Sequence, residues 1–591
     1  MTRALAACAA FCALWAHSAL ATDAPSQRPN VVLVVIDDAS PTDIGAYGSE
    51  IATPNIDRLA ANGTRFTNFH ATPMCAPSRA MLLTGLDSHI AGIANLPETV
   101  PVSHEGRPGY LGRLADNVVT IASLLQRNGY RTYAAGKWHL GHTAGALPDA
   151  HGFDRSFVLD ATGADNWEQR PYLPIYDDAD WFEDGIPVRL PKEFYSSQFL
   201  VDRAIEYIDG GQNDNQPFFL YLPFLAIHIP VQAPQAFTDH YLDVYSTGWD
   251  AQRQRRYAAA VKSGLVPPDT VMRELPVGLR QWASLTDEQR ALAARSQAVS
   301  AGMMEAMDYH LGRLIVHLQG IGAFENTLFV VLADNGPEPG DPGASMLFRA
   351  WLASVGYSTD VEHLGTRGTF ASIGPEAAKA NAAPFALFKF HAAEGGVRVP
   401  LIMSGPGVRA GQQLDAFAFI TDLAPTLLAY TGTSAALPSA PPMGGHSLLP
   451  LLAGEAALVH AQDEAIGMEA AGSAALFKGS LKLVRDRLPF GDEQWHLYDL
   501  AVDPGETNDL STARPDALQE MVADYTAYAA KVGVLDVPVG YSTTGEVGAR
   551  MLRALIHRYV WLLAGVAATL IGLIVWLPWR VLKRRRRGAP G

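Results

Sequence analysis

Cysteine is scarce in this chain, with three in 591 residues. Cys8 and Cys12 lie in an apolar N-terminal stretch that reads as a removable leader, so a cleaved chain keeps only Cys75. An intramolecular disulfide is thereby excluded, and Cys75 is either an inert buried thiol or a chemical tool. Positive charge is also short: 45 Lys and Arg face 60 Asp and Glu, for a formal net charge of −15. That balance argues against nucleic-acid partners. It also disfavours a polyanionic substrate, although screening over about 8 Å leaves room for a locally positive pocket. Internal repeats are absent. Exported animal proteins of this size usually carry several disulfides, so a single cysteine leans towards a bacterial source.

What is present begins with the two ends. Arg3, an apolar run over 4–19 and the small-x-small triplet Ala19-Leu20-Ala21 predict a signal peptide over 1–21. Near the other end, 559–579 carries no charge, and about 21 helical residues just span a hydrocarbon core of about 30 Å. Arg558 and Arg580 bracket this run, Trp561, Trp576 and Trp579 lie near its ends, and Lys583 to Arg587 follow as a basic cluster. By the positive-inside rule these features predict a transmembrane helix with the tail 580–591 in the cytoplasm. The body is then expected outside the cytoplasm, in a bacterial periplasm, and tethered to the membrane.

Between the ends, 48% hydrophobic composition and over 500 residues provide for one large domain and a smaller one. Apolar, β-branched runs at 31–36, 131–135, 218–222, 328–332 and 401–403 read as buried parallel strands. Helical patterns at 55–62, 120–128, 196–208 and 298–318 separate them. The fold class is therefore α/β, a large, mostly parallel mixed sheet flanked by helices, with a small C-terminal α+β domain and one transmembrane helix. We place a catalytic domain at 27–430 with an insertion at about 242–290, the small domain at 446–533 and a linker at 534–558.

Ligands of open α/β sheets bind at the carboxyl ends of strands. The run 31–36 ends in Asp37-Asp38, and 328–332 leads to Asp334-Asn335-Gly336. These are hard oxygen donors of the kind Ca²⁺ or Mg²⁺ takes, although Asp-Asn-Gly alone is more often a turn. Two other runs end in Lys137-Trp138-His139 and in His228. Lys137 and His139 alternate on an extended chain and can face the same way. Positive charge and proton donors opposite a divalent metal outline a site for an anionic ester. Pro77 suits the first turn of a helix, with Cys75 at its positive end and Arg79 close behind.

Cys75-Ala76-Pro77-Ser78-Arg79-Ala80-Met81-Leu82-Leu83-Thr84-Gly85 resembles the first signature of the sulfatases, in the alkaline phosphatase superfamily. The stretch from Gly129-Tyr130-Arg131 to Lys137-Trp138-His139-Leu140-Gly141 resembles the second. The likeness continues through Thr53-Pro54-Asn55-Ile56-Asp57, Glu394-Gly395-Gly396-Val397-Arg398-Val399-Pro400 and Leu497-Tyr498-Asp499-Leu500, and is most similar to bacterial arylsulfatases. The resemblance implies that Cys75 is oxidised to formylglycine by a maturing enzyme that reads Cys-x-Pro-x-Arg. The hydrated aldehyde would attack sulfur with one hydroxyl and expel sulfate with the other. It further implies that Asp37, Asp38, Asp334 and Asn335 hold Ca²⁺ together with residue 75, and that Arg79 and Lys137 steady the attacking oxygen and the sulfate. His139 would accept the final proton, while His228 and Lys389 would bind sulfate and protonate the leaving oxygen. Lys389 is matched by its spacing to Glu394.

The resulting expectation is a calcium-dependent sulfuric ester hydrolase acting on aryl or small alkyl sulfates. A phosphonate monoester or phosphodiester hydrolase of the same superfamily is the nearest alternative. A non-catalytic, membrane-tethered protein that binds sulfate esters is the alternative of another class.

Overall fold

The computed structural model describes residues 28–212, 216–435 and 440–587. The predicted signal peptide lies outside the described residues. The large domain contributes β1 (Asn30–Ile36), β2 (Thr64–Phe66), β3 (Phe69–His70), β4 (Arg131–Lys137), β5 (Arg155–Leu159) and β6 (Trp181–Glu183). It continues with β7 (Ile186–Val188), β8 (Phe218–Pro223), β9 (Thr327–Ala333), β10 (Leu401–Ser404), β11 (Gln412–Leu414) and β12 (Ala418–Phe419). Ten of these form one sheet in the order β11-β2-β10-β9-β1-β8-β4-β5-β6-β7. Its centre, β9-β1-β8-β4-β5, is parallel throughout. Every residue of β1, β8 and β9 is buried, as the continuous apolar runs require of strands covered on both faces.

The run at 401–403 departs from the expected direction: β10 is antiparallel to both β9 and β2. A run apolar on both faces reports burial, and the path of the preceding connection decides direction. The helix expected over 298–318 is longer, Asp287–Gly320, because Thr286 and Gln289 form a capping box at its start. Within the segment read as an insertion, the helix Trp249–Lys262 puts Arg256 between Asp43 (2.5 Å) and Glu50 (3.0 Å), clamping the chain that follows β1.

Where a small domain was expected, β13 (Ala465–Ala470), β14 (Ser473–Lys478), β15 (Leu481–Arg485) and β16 (His496–Asp499) form a second, antiparallel sheet. The helix Pro515–Val532 covers it, with Met521 and Tyr525 packed on Leu476, Leu483 and Leu497. Pro515 occupies the first turn, where a missing N–H costs nothing.

The C-terminus corrects the expected membrane anchor. Among the described residues no helix is long and apolar enough to cross a membrane. The uncharged run 559–579 is not an independent segment but the later portion of one helix, Thr543–Arg587. Its earlier portion carries Glu546, Arg550, Arg553 and Arg558 and docks on the large domain, so residues from Thr543 are helical where a linker was expected. Within that run the side chains of 562–564 and 566–567 lie outside the described residues. The transmembrane element of the expected fold and the membrane-anchored location that rested on it are both withdrawn.

Candidate active site

The parallel centre of the sheet brings four strand ends to one edge. Ile36 of β1 is in register with Ala333 of β9, and Val35 with Pro223 of β8. Asp37 and Asp38 therefore emerge beside Asp334 and Asn335, and the chain after β8 reaches His228. The junction is stitched by the Asp37 amide donating to the Ala226 carbonyl at 2.7 Å and the Ile227 amide to that of Asp37 at 2.8 Å. Asp38 (φ 69°) and His139 (φ 58°) both adopt the left-handed region without being glycine. Such backbone is costly and persists where surrounding contacts enforce it.

Cys75 is the first residue of the helix Cys75–Thr84, so the turn begins two residues earlier than Pro77 implied. Its Sγ lies 3.7 Å from Asp38 Oδ1. One turn on, Arg79 Nε donates to Asp334 Oδ2 at 2.8 Å, its Nη2 lies 2.7 Å from the same oxygen and 3.5 Å from Asp37 Oδ1, and its Nη1 donates to the Lys137 carbonyl at 2.9 Å. Lys137 Nζ, at the end of β4, donates to Asp37 Oδ2 at 2.7 Å. Lys389 Nζ is 2.8 Å from both Asp38 Oδ1 and Glu338 Oε2. His228 donates from Nδ1 to the Ile229 carbonyl at 2.6 Å, which aims Nε2 at Asp38 Oδ2, 3.7 Å away. His139 Nε2 is 3.3 Å from Glu98 Oε2. All eleven of Asp37, Asp38, Cys75, Arg79, Glu98, Lys137, His139, His228, Asp334, Asn335 and Lys389 are buried.

Glu338 and Glu98 escaped the sequence reading. Glu338 lies four residues beyond Asp334 on the same connection, a proximity that could have flagged it. Glu98 sits in a loop without any strand-end signal and is oriented by the Tyr176 hydroxyl.

Burial pushes Asp38 up to about 8, with Lys389 opposing and Asp37, Glu338 and Asp334 adding to the rise. Burial raises Asp37 as well, against Lys137. Asp334 goes the other way: burial works against its charge, but Arg79, Lys137 and Lys389 outweigh it and hold it below the usual carboxylate value. Burial drives the Cys75 thiol well above its ordinary value, so an unmodified Cys75 stays protonated and is a poor nucleophile. His228 is pushed well below its ordinary value by burial and then by Lys389 and Lys137.

Donor atoms of Asp37, Asp38, Cys75 and Asp334 all lie within 4.8 Å of one another. Two buried acceptors in this group, Asp37 Oδ1 and Asn335 Oδ1, lack any hydrogen-bond partner. A buried carboxylate oxygen met only by an ion pair as long as 3.5 Å is under-compensated, and a further cation would stabilise it. Oxygen donors of this number and charge fit a hard divalent ion.

The fold, the strand-end carboxylates and the cation-flanked residue 75 define a hydrolase of anionic esters. Residues 29–433 match the sulfatase family model, and the chain belongs to that family. It is a sulfuric ester hydrolase. Among similar proteins, an uncharacterised sulfatase of Schizosaccharomyces pombe is 34% identical over 87% of this chain and 96% of its own length. The arylsulfatase of Klebsiella aerogenes is 33% identical over 69% of this chain and 88% of its own. The crystal structure of Ps i-CgsB in complex with k-i-k-neocarrahexaose superimposes with a TM-score of 0.61 at 24% identity, covering 90% of this chain and 99% of that one.

Proposed function

We propose that this sulfatase is calcium-dependent, acts on aryl or small alkyl sulfate esters and uses Cys75 after its conversion to formylglycine by a separate maturing enzyme. The observation that carries the reading is Asn335 Oδ1, without a hydrogen-bond partner, next to an Asp37 Oδ1 met by Arg79 only at 3.5 Å, beside Cys75 in a pocket where the thiol itself is held protonated. Asp37, Asp38, Asp334 and Asn335 would hold the ion. When bound, Ca²⁺ would polarise a sulfate oxygen and favour the ionised form of the attacking hydroxyl. The hydrated aldehyde at residue 75 would supply that hydroxyl and a second one.

The remaining residues divide by position. Arg79 and Lys137 present fixed N–H groups on the Asp37 and Asp334 side, where the charge of a sulfate oxygen would collect. Lys389 and His228 lie on the Asp38 and Glu338 side and face the ester oxygen. Lys389 Nζ carries protons in the resting state and can donate one to the departing alkoxide. His139, oriented by Glu98 and kept neutral by burial, would accept the proton of the second hydroxyl.

Mass analysis of the peptide containing residue 75, together with sulfate release from an aryl sulfate before and after chelation, tests this reading. An aldehyde mass at that position and calcium-restored activity are expected. An intact thiol in fully active enzyme refutes the modification. Faster turnover of a phosphodiester than of the matched sulfate ester would reassign the substrate.

A further inference from the structure

Beside the charged site lies a cavity of about 430 Å³ that the catalytic residues only border. His228, Lys389, Glu98 and Glu338 form its inner rim. Its remaining wall is largely apolar and comes from chain segments far apart in sequence: Leu96, Tyr172, Leu173, Ile229 and Phe390 from the large domain, and Val547 and Met551 from the C-terminal helix. That helix lies more than a hundred residues beyond the end of the stretch that matches the sulfatase family.

The helix reaches this position by a strap rather than a free tether. The Leu535 amide donates to the Tyr110 hydroxyl at 2.9 Å, His104 Nε2 lies 3.1 Å from the Asp536 carbonyl, and the Tyr541 hydroxyl donates to the Thr99 carbonyl at 2.7 Å. Arg550 then donates to the Val100 carbonyl at 2.6 Å and Arg558 to the Tyr176 carbonyl at 2.9 Å. Thr543, Val547, Met551 and Leu555 recur at four-residue spacing and are half-buried, whereas Leu552 and Arg553 between them are exposed. Met551 and Leu555 pack on the aromatic cluster of Tyr172, Phe348, Trp351, Tyr357 and Phe370. A charged helix held by its arginines, with its apolar stripe turned towards the mouth of the site, is a built wall.

From this juxtaposition we infer that the C-terminal helix completes the binding site for the alcohol half of the substrate, and that this half is hydrophobic and extends beyond the small alkyl groups proposed above: an aryl or medium-chain alkyl group seated against Val547 and Met551. The inference rests on the sulfatase reading above, because the sulfate must lie between Lys389 and residue 75 for the alcohol to point this way. The two rim carboxylates that could accept from a sugar's hydroxyl groups, Glu98 and Glu338, are already engaged by Tyr176, His139 and Lys389. Each CH₂ sheltered from water in such a wall strengthens binding about fourfold, so selectivity should grow with chain length until the cavity is filled.

The test compares kcat/KM for decyl sulfate and methyl sulfate using the full chain. The wild-type protein is expected to prefer the decyl ester by more than tenfold. Met551→Glu and Val547→Glu should each cut that ratio at least tenfold, and Leu552→Glu, on the outer face of the same helix, should leave it in place. Wild-type hydrolysis of methyl sulfate with no preference for the decyl ester would overturn the pocket assignment and leave the hydrolase reading standing. A ratio unchanged by Met551→Glu and Val547→Glu in folded protein would overturn the helix's role. Failure to release sulfate from either ester would sink both readings together.

Discussion

Two buried clusters of charge lie within this molecule, and they are built to opposite ends. At the strand ends, Asp37, Asp38 and Asp334 face Arg79, Lys137 and Lys389, with Glu338 as a further carboxylate. Behind them, Glu394 and Glu506 face Lys482, Arg398 and His70, with Glu394 3.0 Å from His70 and Lys482 2.8 Å from both glutamates. In the second cluster two carboxylates meet two permanent cations, Lys482 and Arg398, together with His70; the Glu394 carboxyl is driven far down by His70 and Lys482 in spite of burial, while burial lifts Glu506 to about 7. In the first, four carboxylates face three cations, Asp38 is driven up to about 8, and Asn335 Oδ1 has no hydrogen-bond partner. Burial and ion pairing are common to both. An unanswered acceptor beside surplus negative charge marks the place where something else binds.

The largest expected effect separates the clusters by function. Asp37→Asn should lower sulfate release by about a hundred- to a thousandfold, as removal of a group that organises transition-state charge does. Calorimetric calcium titration should show the corresponding loss of affinity. Wild-type turnover in this variant would erase the distinction. Glu394→Gln should do the reverse. Removing one partner of a buried network costs about 3 kcal/mol or more of stability, read as a lower denaturation midpoint, with calcium affinity of the folded fraction retained.

A third measurement concerns the joint between the domains. His89 bridges Asp87 (3.1 Å) and Glu469 of β13 (2.9 Å), and although burial opposes its charge these carboxylates raise it to about 9. A histidine raised on folding stabilises fully below its unfolded value of about 6.5 and loses that contribution as pH rises through about 9. Stability should therefore fall by about 3 kcal/mol over that window, and His89→Gln should flatten the profile. An identical profile in the variant would remove His89 from the account.

The smallest predicted effect is positional. The loop that presents Lys389 is held from the small domain: Asp486 accepts from the Ala392 and Ala393 amides at 2.5 and 3.1 Å, and Ser473 donates to the Phe390 carbonyl at 3.0 Å. Leu387 and Phe390 in this loop adopt positive φ, so it needs that support. Asp486→Ala should reduce kcat about tenfold through displacement of Lys389, with the greatest loss on esters of poorly leaving alcohols. Equal loss on activated and unactivated esters would point to general unfolding instead.

Much of this was readable in the sequence. The strands β1, β4, β8 and β9 announce themselves because strands covered on both faces must be apolar on both. Charged residues gathered at their ends follow from the parallel connection, and the two long signatures point to the sulfatase family that residues 29–433 match. Glu338 and Glu98 were missed because each acts through a partner far away in the chain, Lys389 and His139. The strands β13 and β14 were missed because alanines and glycines give them a weak alternation. The direction of β10 and the docking of the C-terminal helix were also out of reach, since both depend on contacts between distant segments.

Taken alone, the amino-acid sequence determined that a lone Cys75 stands among strand-end carboxylates and cations in a sulfatase-like chain, because those residues sit within short motifs whose spacing the backbone enforces. Only the tertiary structure decided which acceptor oxygens are left open and that the small domain braces Lys389. It also decided that the apolar C-terminal run belongs to a helix docked beside the site. Each of these depends on which surfaces meet across hundreds of residues, and local sequence carries no record of that.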